Sequence, residues 1–195
     1  MSDALPASLL SALSDVTEWL TRERIAATII GGVAASVLGR PRLTQDIDAL
    51  AVLPEAEWGR ALDSAAAYGI VARIPDPLGF ARRSRVLLLR HSKAGIDVDV
   101  ILSGLRFEEL AVERSSIHDL AGVSIRLPAV EDLLVMKAIA RRPKDLGDIE
   151  GLLTAHPDAD VGAARRWVSE FSTAAGMPDI LEQFDRAVVR FTSKR

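Results

Sequence analysis

Asp46 and Asp48 stand two residues apart in a segment, Asp46–Leu53, that alternates in character and ends before Pro54, which predicts a strand. A period of two puts both carboxylates on one face, close together. Leu50 and Val52 continue that face, so the acids lie at the strand's mouth and the apolar residues inside. Asp97 and Asp99 repeat the arrangement within Gly95–Ile101, with the valines on the opposite face. Like charges held side by side repel unless a cation neutralises them, and donors that are all oxygen favour a hard cation such as Mg²⁺. Solvation at a strand end explains one such pair readily, but not two on neighbouring strands. Spacing alone does not decide whether Asp97 or Asp99 joins Asp46 and Asp48.

Upstream, the β-branched run Ile25–Ile30 stops at Gly31-Gly32, and a short helix, Val33–Leu38, follows and ends at Gly39. Glycines at a strand-to-helix turn let the backbone approach a ligand, and a helix N-terminus offers unpaired N–H groups and the positive end of the dipole. That geometry suits a phosphate, although a tight turn without a ligand uses the same residues. Three or four carboxylates around two metal ions, beside a phosphate-binding turn, suit in-line phosphoryl or nucleotidyl transfer.

Lys137 falls within a helix that is apolar on nearly every side, Val130 to Ile139. It follows Leu133 by four residues and Val130 by seven, a stripe expected to face the protein, so its ammonium must snorkel outward or meet an anion such as a triphosphate. Asp145 sits in the first turn of a helix after Pro143, where a carboxylate complements the dipole whatever the function. Basic residues cluster at Arg82, Arg83 and Arg85 and at Arg90, His91 and Lys93, flanking the expected strands. They could meet an RNA backbone or a protein substrate, or, as loop charges, simply be solvated.

The elements that must position these groups divide by type. Leu9, Leu10, Leu13, Val16 and Leu20 form the apolar stripe of a first helix. A helix is expected over Glu55–Tyr68, and strands over Ile70–Ile74, Val86–Arg90 and Ile96–Leu102. The continuously apolar Val86–Leu89 suggests a strand covered on both faces, and HSKAG a hairpin turn. After Gly104 the chain turns mainly helical (Phe107–Arg114, Val130–Arg141, Leu146–Thr154, Val161–Ala175, Ile180–Phe191), with a brief strand at Ser124–Leu127. The fold class is thus α+β: a mixed sheet with flanking helices over residues 1–104, and a helical region over 105–195 packed with it as one body.

The 195 residues carry 24 Lys plus Arg against 27 Asp plus Glu, a net charge of −3 that argues against a general nucleic-acid coat. The absence of cysteine excludes disulfides, thiolate metal sites and a cysteine nucleophile. The longest uncharged run, 15 residues from Ile25 to Gly39, is shorter than a membrane span, and the first ten residues lack a secretory pattern. A soluble, cytoplasmic protein without membrane partners is expected. No Walker A motif, Rossmann glycine pattern or serine-hydrolase elbow occurs.

Gly-Gly, 13 intervening residues and Asp-Ile-Asp, followed by an aspartate on a later strand, resemble the signature of the DNA polymerase β-type nucleotidyltransferase superfamily. The text is most similar to the abortive-infection type IV toxin-like branch and its small relatives. It carries Gly31-Gly32, Gly39, Arg42, Thr44, Asp46-Ile47-Asp48, Val98-Asp99-Val100, Lys137, Arg141 or Arg142, Lys144-Asp145-Leu146 and Asp148-Ile149 over residues 25–154. The resemblance implies an enzyme that transfers NMP from an NTP such as ATP to an acceptor hydroxyl and releases pyrophosphate. Gly31, Gly32, Arg42 and Lys137 would contact the nucleotide. Asp46, Asp48 and Asp99 would be both catalytic and metal-binding, holding two Mg²⁺ ions, with Asp97, Thr44 and Asp145 as accessory residues. The acceptor it implies is a tRNA or a protein, with a cognate antitoxin-like partner. An aminoglycoside-type antibiotic acceptor, or a non-catalytic member of a toxin–antitoxin pair, is the alternative.

Overall fold

The computed structural model describes residues 5–192. The chain forms two compact units, Met1–Val33 with Arg42–Pro128, and Ala34–Pro41 with Ala129–Arg195.

The first unit is built on a five-stranded sheet. Helix α1 (Ala7–Arg22) leads into β1 (Ala26–Ile30), which runs directly into α2 (Gly31–Leu38). After β2 (Asp46–Val52) come a 3-10 turn, α3 (Trp58–Ala65), a second 3-10 turn, and β3 (Ile70–Ala72). Helix α4 (Pro77–Ser84) precedes the hairpin of β4 (Val86–His91) and β5 (Ile96–Leu102). Helix α5 (Arg106–Glu113) and the hairpin of β6 (Ser116–Leu120) and β7 (Val123–Leu127) complete the unit. The sheet order is β1-β2-β5-β4-β3. Strands β2 and β5 are parallel and every other neighbouring pair is antiparallel.

Alternation along the central strands sorts the two faces. Ile47, Ala49 and Ala51 of β2, Val98, Val100 and Leu102 of β5, and Leu87 and Leu89 of β4 are buried together on one face. Of the apolar stripe of α1, Leu9, Leu13, Val16 and Leu20 are buried as the period of 3.6 predicts, and so is Trp19, while Leu10 is half-buried. The carboxylate of Asp15 on α1 meets the buried His91 ring at 2.9 Å. His91 therefore belongs to the interior of this unit rather than to an exposed basic cluster. The opposite face carries the aspartates. Leu88 lies on that face and is only half-buried, so β4 is fully covered on one side, not on both as its apolar run suggests.

Two elements lie where loops were expected. Helix α4 opens on Asp76, whose Oδ1 accepts the Gly79 N–H at 2.9 Å, with Pro77 in the first turn. Arg82 and Arg83 are thus helical residues, and Arg82 pairs with Glu55 at 2.9 Å. Arg85 takes a left-handed conformation at the end of α4 and donates to the Leu102 carbonyl. Strand β6 pairs with β7 across a two-residue turn in which Ala121 and Gly122 both have positive φ, the backbone a tight hairpin needs. Ile117 of β6 is 66% exposed, so no buried face imposed an alternating pattern there.

The second unit is helical: the end of α2 together with α6 (Val130–Ala140), α7 (Pro143–Ala155), α8 (Val161–Ala175) and α9 (Asp179–Thr192). A Cβ at Gly39 would come within 2.9 Å of the Ala35 carbonyl and 3.1 Å of the Leu152 N, so glycine permits this close approach to α7. The division at Pro128 leaves α5 and the β6–β7 hairpin with the sheet, whereas composition changes at Gly104. Phe107, Ala111 and Val112 of α5 are buried within the first unit; helix content along the chain does not reveal what a helix packs on. No helix among the described residues is long and apolar enough to cross a membrane.

Candidate active site

The parallel register of β2 and β5 sets Asp46 opposite Asp97 and Asp48 opposite Asp99. Because each pair shares a face, the four carboxylates make a two-by-two array at one end of that face of the sheet. All four residues are half-buried. Asp46 accepts a hydrogen bond from the Thr44 hydroxyl at 2.9 Å.

Gly31-Gly32 lies against this array. Ile30 is the β1 partner of Asp48, so the chain leaves β1 beside that carboxylate. Gly31 has φ +66°, and a Cβ there would overlap Asp48 Oδ2; a Cβ on Gly32 would overlap Thr44 Oγ1 and come within 3.4 Å of an Arg42 guanidinium nitrogen. The two glycines are therefore required by the side chains of Asp48 and Thr44, a constraint independent of any ligand. Gly31→Ala is expected to destabilise the protein by about 1–2 kcal/mol from the left-handed backbone alone. By displacing the Asp48 carboxylate it should also reduce any activity of the site on the order of 100-fold. Thermal denaturation and turnover measured on the same sample check both.

Arginines neutralise one side of the array. Arg73, just past β3, donates from Nη1 to Asp97 Oδ2 at 2.6 Å and from Nη2 to Asp99 Oδ1. Arg90 of β4, opposite Asp97 in register, donates to Asp97 Oδ1 from Nε at 2.8 Å. Burial pushes the Asp99 carboxyl above its usual range. Arg73 opposes this, and the charges of Asp48, Asp97 and Asp46 add to the rise. A carboxylate whose proton affinity is raised in this way is suited to accept a proton.

The donor chemistry fits a hard divalent cation: carboxylate oxygens only, gathered in a mutually repulsive field, with the glycine turn leaving room for Asp48. As the side chains stand, no three carboxylate, imidazole or thiolate groups among the described residues are disposed to enclose an ion. Arg73 spans two of the carboxylates.

Of the residues singled out in the sequence, Gly31, Gly32, Arg42, Thr44, Asp46, Asp48, Asp97 and Asp99 lie in the first unit, around this array. Lys137 and Asp145 lie in the second unit and bind each other. The buried Lys137 ammonium donates to Asp145 Oδ1 at 3.3 Å and Asp148 Oδ2 at 2.7 Å. Asp145 also accepts the Arg142 N–H at 2.8 Å, serving the start of α7 as its position predicts. Arg73 escaped the sequence reading: it is a single arginine after a three-residue strand, and only sheet register carries it to Asp97 and Asp99.

No protein-family model matches the chain, and no curated protein matches it in sequence. Solved structures do match. An antigenic nucleotidyltransferase-like protein from Paracoccidioides brasiliensis superposes with a TM-score of 0.55 at 15% identity, over 93% of this chain and 94% of that one. The antibiotic-resistance factor ANT(2'')-Ia, described in solution, superposes with a TM-score of 0.59 at 12% identity, over 88% and 95%. The chain thus has a nucleotidyltransferase fold.

Proposed function

We infer that the protein is a magnesium-dependent nucleotidyltransferase, a toxin-like enzyme that moves a nucleoside monophosphate from an NTP onto a hydroxyl of an RNA acceptor such as tRNA. The observation that carries this reading is the array of four aspartates set against the Gly31-Gly32 turn. Asp46, Asp48 and Asp99 would hold two Mg²⁺ ions. When bound, these supply charge neutralisation at the triphosphate and lower the pKa of the attacking hydroxyl.

The chain's own groups account for the remaining needs. The N–H groups at the start of α2 and the Arg42 guanidinium supply donors for phosphate oxygens. Asp99, raised in proton affinity by burial and its acidic neighbours, accepts the acceptor's proton. The acceptor oxygen bonds to the α-phosphorus, the bond from that phosphorus to the bridging oxygen breaks, and pyrophosphate leaves.

How Asp97 is used supports the acceptor class. A cationic drug would need free carboxylates near the site, but Asp97 is matched by Arg73 and Arg90. Lys93, exposed in the turn after Arg90, adds a positive charge that favours a phosphate backbone. The test is incubation with each α-labelled NTP, total tRNA, lysate protein and Mg²⁺. Label on RNA, lost with EDTA, is the expected result. Label on protein would overturn the RNA acceptor. Nucleotide binding without transfer to either, or to an aminoglycoside, would favour a non-catalytic member of a toxin–antitoxin pair.

A further inference from the structure

Asp97, Asp99 and Asp46 differ in what meets their carboxylates. Asp97 has two arginines, Arg73 and Arg90, while Asp99 has Arg73. Asp46 has a hydroxyl. Moving Arg73 would leave Asp97 still paired but would strip the cationic partner from Asp99. The Arg73 side chain is 27% exposed and the Arg90 side chain 50%, so the more enclosed guanidinium is the one shared between the two acids. A planar guanidinium spanning two carboxylates is a strong, charge-assisted arrangement. It also lies on the oxygens that a cation at Asp99 would need.

We propose that Arg73 is an internal counter-ion that competes with divalent metal for Asp99, so that in the free protein Asp99 is closed to a cation by the guanidinium that spans it and Asp97. This rests on the reading of these aspartates as cation ligands. It makes Arg73 a positioning residue, acting through Asp99. The closure is reversible because a guanidinium donates to phosphate oxygens as readily as to carboxylate oxygens. An arriving triphosphate gives Arg73 an alternative partner and releases Asp99 when substrate is present. Arg90 stays on Asp97 throughout, so the array keeps one fixed ion pair and one exchangeable one.

The experiment is Mn²⁺ binding to the full chain without nucleotide, followed by calorimetry and by the paramagnetic resonance of free Mn²⁺. Arg73→Gln is expected to bind Mn²⁺ about tenfold more tightly than the wild type, the worth of one charge-assisted hydrogen bond, or to gain a second ion. Arg90→Gln should change binding little. In the Arg73→Gln background Asp99→Asn should erase the gain, while in the wild type Asp99→Asn should have a small effect. Arg73→Lys, which keeps the charge but loses the fork, should fall between and serves if the glutamine variant does not fold. Equal Mn²⁺ affinity in the wild type and both Arg73 variants, with binding still lost in Asp48→Asn, overturns the role of Arg73 and leaves the metal site standing. No Mn²⁺ binding in any variant overturns both.

Discussion

Asp48→Asn is expected to lower nucleotidyl transfer by about 10³-fold or more while leaving the fold intact, and Asp97→Asn to lower it by about tenfold or less. The first figure reflects the several kcal/mol of charge stabilisation that a held cation supplies to phosphoryl chemistry. Asp48 has no substitute in the array: it lies beside the glycine turn, with its carboxylate where a Cβ on Gly31 would stand. Asparagine keeps its shape and removes its charge, so loss of activity without loss of helix content would isolate the electrostatic role. Asp97 is already charge-matched by Arg73 and Arg90, so its neutralisation removes an ion pair and not a ligand. Turnover at saturating NTP, with circular dichroism as the folding control, checks the pair. Equal losses in Asp97→Asn and Asp99→Asn would show that the arginines do not distinguish the two acids.

That distinction shows where the sequence stops being informative. Period-two alternation placed Asp46 with Asp48 and Asp97 with Asp99, because a strand's geometry is local. Pairing of β2 with β5 was not local: α3, β3, α4 and β4 intervene along the chain, and only the parallel register sets Asp48 opposite Asp99. The Gly31-Gly32 turn was legible as a close approach of backbone, but the approach is made by Asp48 and Thr44 side chains. Arg73 was illegible for the same reason as the Asp97–Asp99 ambiguity. It reaches the acids across β4, and no spacing rule relates residues 73 and 99. Helix α4 was hidden differently. Its start signal, Asp76-Pro77, is short, and its arginine-rich end reads as solvated loop. Helix α1 was recovered through its apolar stripe, because burial on one face imposes the period that was read.

The largest effect on stability is expected from Lys137→Met. Apolar patterning in α6 required that this ammonium either escape to water or find an anion, and it finds two, Asp145 and Asp148, with the lysine and both acids buried. One cation between two carboxylates ties α6 to α7. Methionine matches the lysine stem in volume but takes the ammonium away from two buried carboxylates. Removing one partner of a buried ion pair costs about 3–5 kcal/mol, which for a chain of this size lowers the melting temperature by roughly 10 °C. The penalty arises from stranded charge, so it should be reversible by chemistry: adding Asp148→Asn to Lys137→Met is expected to recover part of the lost stability, although it removes a further polar contact. Asp145→Asn should recover less, because Asp145 also accepts the Arg142 N–H at the start of α7, where a carboxylate serves the helix better than an amide. Thermal melts of the three variants, with NTP affinity measured alongside, separate this structural role from a nucleotide contact. A tie between helices predicts melting temperatures that follow the carboxylate count, whereas a loss of NTP binding in Lys137→Met that the Asp148→Asn addition leaves unrepaired, at an unchanged melting temperature, would place the ammonium at the substrate instead.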